Sequence, residues 1–364
     1  MTVAGFTGFF VTLSSLPAHV AAAGNSTASA GATTTVMLAA TVLFQPVVPA
    51  LLRRLSTPAT MAVGLVALGL PAPLLIWTSS GAGLYSICLL RGVGFAVFTV
   101  AGAFMASEVA PPGRQGEVAG LYGLAAAIPY VIMIPLSVLV LHAVGFWPIA
   151  AIAGLPAVGA ALALGGGRRR VALEPNQAVP AGATRRAIAR SILPAAVLYA
   201  ITAASGAVVT ILPIVSSELV ATVGLLVLAA ASAVARWQAG AQVDRPGRRW
   251  LLAAACSVVI VGLLALSAGL SGPSDGVVLV ACALLGVGYG SVQSLTLVSA
   301  FARTTPSERP VASAVWNGAF DAGTATGAIL IGALSATGIG WWGAFAVLAV
   351  LVAAVMPAAV SSTR

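Results

Sequence analysis

Few side chains in this chain of 364 residues could do chemistry inside its long apolar runs. Asp321, in the stretch WNGAFD, is the one acid well inside such a run. A carboxylate at the centre of a membrane-spanning helix costs about 2.5–3.5 kcal/mol to place there. It can take up and release a proton or hold a cationic group. Its alternative role is structural, as a partner for its own helix through Asn317 one turn away. Arg91, in LLRGVG, is the one Arg deep in a run. A guanidinium keeps its proton, so Arg91 needs a partner or water and offers hydrogen bonds and a fixed charge.

Other polar side chains recur at steps of three and four. His19 follows Thr12 and Ser15; Tyr199 precedes Thr202 and Ser205; Tyr289 precedes Gln293 and Thr296; Asn317 and Asp321 lie between Ser313 and Thr324. Such spacing puts each set on one helix face. In lipid a polar stripe must turn toward protein or water. Four stripes, drawn from both halves, predict a wet cavity lined by His19, Tyr199, Tyr289, Gln293 and Asn317. The competing reading is hydrogen-bond glue between helices.

Other chemistries lack their parts. The two histidines, His19 and His142, stand far apart, and no acids cluster beside them. Neither a nucleophile with its base nor a metal-ligand set is visible. The chain has no Lys, which rules out a nucleotide loop of the G-x-x-x-x-G-K-[ST] type. An enzyme is therefore not expected, nor a metal or cofactor, and a proton gradient is the expected energy source. Cys88, Cys256 and Cys282 all lie in apolar runs and read as packing residues.

The elements that must position these residues follow from composition. Hydrophobic residues make up 60% of the chain and charged residues 7%, against about 45–50% and 25% in a soluble domain. So few charges cannot cover a water-facing surface, which excludes a soluble enzyme and a disordered chain. The net charge of +9 comes from 17 basic residues, all Arg, that sit between the apolar runs. They form no basic face, so nucleic acid is not an expected partner. A bilayer core of about 30 Å needs about 20 apolar residues per helix. Twelve runs qualify, at about 3–23, 31–53, 58–79, 84–107, 116–141, 146–165, 190–212, 217–239, 249–270, 276–301, 311–335 and 340–360. They are numbered here as spans 1 to 12. They are too long and too little alternating for membrane strands. The first residues lack the basic stretch of a secretory signal, so the first run is expected to be a span.

Charge sets the orientation. With the N-terminus inside, one side carries Arg53, Arg54, Arg114, Arg168, Arg169, Arg170, Arg185, Arg186, Arg190, Arg245, Arg248, Arg249, Arg303, Arg309 and Arg364. The opposite side carries only Glu218 and Asp275. This predicts a multi-pass protein of the cell membrane with both termini cytoplasmic. The basic segment 166–189 reads as a cytoplasmic linker at the anionic inner leaflet, between six-span bundles at 1–165 and 190–364. Arg236, near the inner end of span 8, is expected to snorkel to the cytosol, although its first-half counterpart Gln45 is polar too. Trp341 and Trp342 read as anchors at the outer interface.

The halves echo each other. Gly92-Val93-Gly94-Phe95 answers Gly286-Val287-Gly288-Tyr289, and Pro112 answers Pro306, at one spacing of 194 residues (286 − 92 and 306 − 112). Spans 3, 6, 9 and 12 are nearly bare of polar side chains and read as lipid-facing. Six-span halves repeated in parallel are one way secondary transporters are built.

At this point the residues resemble a known family. Residues 240–249, GAQVDRPGRR, match the loop signature G-x-x-x-D-R-x-G-R-R of the major facilitator superfamily at every fixed position. Arg91-Gly92-Val93-Gly94 is similar to that family's span 4 signature. Residues 316–323, WNGAFDAG, resemble a bacterial subgroup of drug or metabolite exporters. The resemblance implies an all-α membrane protein with twelve helices in two pseudo-symmetric six-helix bundles. It implies a gating loop made by Gly240, Asp244, Arg245, Gly247, Arg248 and Arg249, which latches the inner ends of the halves. It also puts Arg91 near the cavity, organising proton transfer. Locally, Gly240 permits close helix approach and Asp244 can meet a helix N-terminus. Two departures stand out. The loop after span 2 has Pro49 and Arg53 where Gly and Asp are expected. Span 5 offers Gly116, Gly120 and Gly123, but Pro135 lacks the flanking glycines of antiporters.

The expected activity is proton-coupled efflux of a small-molecule substrate by a monomer in the lipid bilayer. An uncoupled uniporter or importer on the same fold is the alternative, and a non-transporting scaffold is a third reading.

Overall fold

The computed structural model describes residues 1–165, 182–245, 250–272, 274–335 and 337–362. Every span is helical, and no strand occurs among the described residues. A backbone in hydrocarbon must satisfy its own N–H and C=O groups, which a helix does within one segment. Seven spans are single helices: Gly81–Val109, Gln115–Val144, Ala183–Val215, Glu218–Val243, Leu251–Ser271, Asp275–Ala302 and Arg309–Ser335. The others are broken. Span 1 is Thr2–Leu13 followed by Ser15–Ala22, and span 2 is Thr27–Phe44, a tighter turn Gln45–Val47 and Val48–Arg54. Span 3 is Thr57–Gly69 with Ala72–Ile76; span 6 is Trp147–Ala153 with Leu155–Gly165; span 12 is Gly340–Ala354 with Met356–Ser362. Proline stands at or just beyond these breaks, as at Pro46, Pro71, Pro156 and Pro357. It lacks the N–H and clashes with the preceding turn. Ser26, Ser56 and Ser217 cap the helices that follow them.

Eleven of the spans are long and apolar enough to cross a membrane. Arg309–Ser335 is long enough at 27 residues, but Asn317, Asp321, Thr324 and Thr326 lower its hydropathy. This polar helix completes the twelve. Val63, Val66, Val158, Leu162, Val261, Leu264, Val350 and Leu351 stand exposed on spans 3, 6, 9 and 12. Such a surface suits acyl chains and would aggregate in water.

The chain divides into two compact units, Met1–Val109 with Ala125–Ala181 and Ala110–Leu124 with Gly182–Arg364. Two details differ from the expected boundaries. Residues 183–189, expected to end the linker, are the first turns of span 7, which starts after Gly182 at φ +76°. Residues 110–124, expected with the first half, group with the second. The reason is a row of glycines. Gly116, Gly120 and Gly123 set span 5 directly against the backbone and Arg236 of span 8.

The repeat is visible in the packing within each unit. In the first, Gly92 lets span 4 approach the Met37 carbonyl, and Gly94 lets it approach the Leu68 amide and the Gly64 carbonyl. In the second, Gly286 faces the Leu228 carbonyl, and Gly288 faces the Val259 amide and the Ala255 carbonyl. The same glycines serve equivalent helices, as small residues do at helix contacts in lipid.

Glu308 closes the end of the second unit between spans 10 and 11. It is 3% exposed. Its carboxylate accepts from Arg190 Nη1 at 2.7 Å and from the Thr305 amide at 3.0 Å, and Arg186 Nε stands 3.7 Å away. Burial pushes its carboxyl up, but the bonds from Thr305 and Arg190 and the Arg190 charge outweigh that and hold it below the usual carboxylate range. Its contribution to stability is therefore complete above the ordinary carboxylate pKa and lost as pH falls through the lower folded value. Glu308→Gln is expected to lower stability by about 1 kcal/mol at neutral pH. The gap in melting temperature between variant and wild type should close in acid. A gap that persists at low pH would contradict this.

Candidate functional site

The second unit gathers polar groups around Arg236 of span 8. Arg236 is 8% exposed, and its Nη1 donates to Gln293 Oε1 of span 10 at 2.6 Å. The Ser294 hydroxyl donates to the Arg236 carbonyl at 2.7 Å. The guanidinium lies over Gly123 of span 5, where a Cβ would collide with Nε. Arg236 thus turns inward and does not snorkel. The slot left by Gly123 and the acceptor on Gln293 give it a place inside. Gln45, its counterpart in the first unit, is buried as well, at 1% exposed.

Asp321 and Arg236 both act electrostatically on Tyr122, and Tyr289 acts on Arg236. One carboxylate, two phenols, an amide and a guanidinium therefore share a neighbourhood in this unit. Asp321 is half-buried. The sequence reading assigns Tyr122 no role and places Arg236 at the membrane edge. The signal for both was present in Gly120-Leu121-Tyr122-Gly123 and in the Gln45 counterpart.

The remaining candidates separate. The Trp316 indole donates to Thr296 Oγ1 at 3.1 Å, and Trp316 stacks near Phe320, tying span 11 to span 10. Asn317 donates to the Ser313 carbonyl at 2.9 Å on its own helix. Tyr289 stands near Phe320, with ring centroids 6.4 Å apart. The Tyr199 hydroxyl pairs with Thr326 Oγ1 at 2.9 Å in an exposed position. In the first unit His19 stacks flat on Phe146, centroids 4.1 Å apart. Arg91 is fully buried, with Nη2 donating to the Gly8 carbonyl and to Thr12 Oγ1, both at 2.8 Å. The three cysteines are free and buried. Among the described residues no three His, Cys, Asp or Glu side chains are placed to hold a metal ion.

The loop signature is built as its residue types suggest. Asp244 accepts from the Gly116 amide at 2.9 Å and the Glu117 amide at 3.0 Å, capping the helix Gln115–Val144. A carboxylate there also meets the positive end of the helix dipole. Gly240 lies against the Gly116 carbonyl, and Arg245 is exposed. Gly247, Arg248 and Arg249 fall outside the described residues. Asp244→Ala is expected to loosen this helix start by about 1–2 kcal/mol. The amides of Gly116 and Glu117 should then exchange hydrogen about tenfold faster. Unchanged exchange would show that the cap holds nothing.

Comparison with known proteins bears on the whole chain. The family model of the Major Facilitator Superfamily matches residues 1–304 and 204–362. No curated protein sequence matches the chain. Among solved structures, the human organic anion transporter MFSD10 (TETRAN) superposes with a TM-score of 0.76 at 13% identity, over 98% of this chain and 96% of that one. At that identity the likeness shows the fold. A family match across both repeats, the twelve spans and the Asp244 loop lead to one placement: the chain belongs to the Major Facilitator Superfamily, whose members are transporters and not enzymes.

Proposed function

We propose that this transporter exports a small organic solute in exchange for entering protons, by alternating access. One observation carries the proton step. Asp321, the one acid well inside a span, shares its surroundings with Tyr122, Arg236, Tyr289 and Gln293. A carboxylate that takes a proton loses its charge, and the fixed Arg236 charge acting on the same Tyr122 is then no longer opposed there. Arg91 keeps its charge throughout, so it contributes field and hydrogen bonds and no transferable proton. The Gly240, Asp244, Arg245, Gly247, Arg248 and Arg249 loop acts as a gate, with Asp244 holding and releasing the start of span 5. Within the second unit, Tyr289 and Gln293 line the solute's route near Asp321. The protein works as a monomer in the cell membrane with both termini cytoplasmic, without cofactor or nucleic acid.

A second reading, uncoupled uniport, is favoured by the absence of an acid from span 1 and by the missing glycines around Pro135. One experiment separates the two. A solute is first found by an efflux screen in a pump-deficient host, and the protein is then reconstituted with a pH dye trapped inside the vesicles. Coupled export moves protons opposite to the solute. Solute counterflow at full rate with no proton movement would establish uniport.

A further inference from the structure

We infer that the first unit binds an aromatic organic anion, whose carboxylate or sulfonate docks on Arg91. This deepens the transporter reading, although the binding itself requires no proton coupling. Arg91 is 0% exposed. Its Nη2 reaches two neutral acceptors, the Gly8 carbonyl and the Thr12 hydroxyl. Nε and Nη1 find no acceptor among the described protein atoms. The one other titratable side chain acting on Arg91 is Cys88, a neutral thiol one turn away. A buried guanidinium with no anion beside it is destabilising, and most buried polar groups are satisfied. The exceptions concentrate where a ligand completes the set. Three of the five guanidinium N–H groups remain for an acceptor. A planar fork of this kind matches a carboxylate or sulfonate and offers nothing to a cation.

Two neighbouring features shape the rest of the ligand. Span 1 breaks at Ser14, two residues past Thr12. Broken helices are where transporters present binding groups. The guanidinium is shielded at present, so loading requires this break to open. Beside it lies an aromatic platform on the same two spans. Phe95, one turn from Arg91, stacks on Phe9 with centroids 3.6 Å apart, and Phe6 sets its edge to Phe98 at 4.9 Å. These rings are buried on one another, so an attached ring would join the cluster only as the span 1 break opens.

The test uses benzoate, with benzamide and benzyltrimethylammonium as its uncharged and cationic analogues. Calorimetric titration of the purified full chain in lipid nanodiscs needs no proton gradient. Benzoate should bind saturably and the two analogues should not. Arg91→Gln should weaken benzoate at least about tenfold, and Arg91→Lys should fall between it and wild type. Benzoate should also slow amide exchange in residues 5–15 and 88–95 of the wild type. This footprint decides the matter if Arg91→Gln does not fold. Equal binding of benzamide, unchanged benzoate affinity in Arg91→Gln, no saturable binding by wild type, or protection elsewhere would each overturn the inference. None of these outcomes touches the proton reading, which is measured by proton flux with Asp321→Asn.

Discussion

Asp321→Asn is expected to reduce solute-driven proton flux to the level of empty vesicles while the protein still inserts and purifies as a folded chain. The substitution keeps the shape and a hydrogen-bonding oxygen but removes the ionisable group. Asp321 is the one acid well inside a span, so no neighbouring carboxylate can replace it. Tyr122, Arg236, Tyr289 and Gln293 remain around the position. None of them exchanges a proton readily near neutral pH. Folding should not suffer, because a neutral amide is easier to insert than a carboxylate whose placement costs about 2.5–3.5 kcal/mol. Asp321→Glu should recover part of the flux. Fluorescence of a trapped pH dye, read beside size-exclusion profiles of each variant, checks both halves of the expectation. Coupled transport at the wild-type rate in Asp321→Asn would remove this residue from the mechanism.

The second large effect is on stability. Gly327→Val is expected to destabilise the second unit by about 3 kcal/mol or more. Span 11 packs along span 7, and three glycines make that contact. A Cβ at Gly327 would run into the Ala203 carbonyl, carbon and Cα. At Gly323 it would meet Thr202 and the Tyr199 backbone, and at Gly206 the Thr324 carbonyl. Backbone cannot turn aside as a flexible side chain does, so the two helices must separate. Asp321 stands two residues from Gly323, and that separation would also displace the candidate proton site. Gly332, on the same helix, faces open space. Gly332→Ala should therefore be neutral or slightly stabilising through helix propensity. Melting curves of the two variants provide the check. Equal behaviour would show that close backbone approach does not hold spans 7 and 11 together.

Much of the fold is legible because membrane constraints are local. The length of an apolar run and the placement of Arg between runs depend on neighbouring residues alone. The expected spans therefore coincide with the helices to within about four residues, even where proline breaks them, except that span 7 starts seven residues earlier, at Ala183. The repeat was also legible, since Gly92, Gly94, Gly286 and Gly288 meet equivalent backbone atoms in their own units. The candidate site was legible only in part. Gln293 and Asp321 were marked by polarity in an apolar setting. Asn317 carried the same mark but bonds to its own helix, and Tyr199 pairs with Thr326 in an exposed position. A helical step of three or four places a residue on a face. It does not say which neighbour that face meets.

By itself the sequence determined the twelve spans, the internal repeat and the loop signature around Asp244. All of these rest on the cost of putting polar groups into hydrocarbon, which each segment settles alone. Only the tertiary structure decided that Arg236 turns inward and that Tyr122 joins Asp321. It alone grouped Ala110–Leu124 with the second unit. Those outcomes depend on Gly123 leaving room on one helix for a guanidinium carried by another. Steric fit between segments distant in the chain is a property of their packing, and no local pattern encodes it.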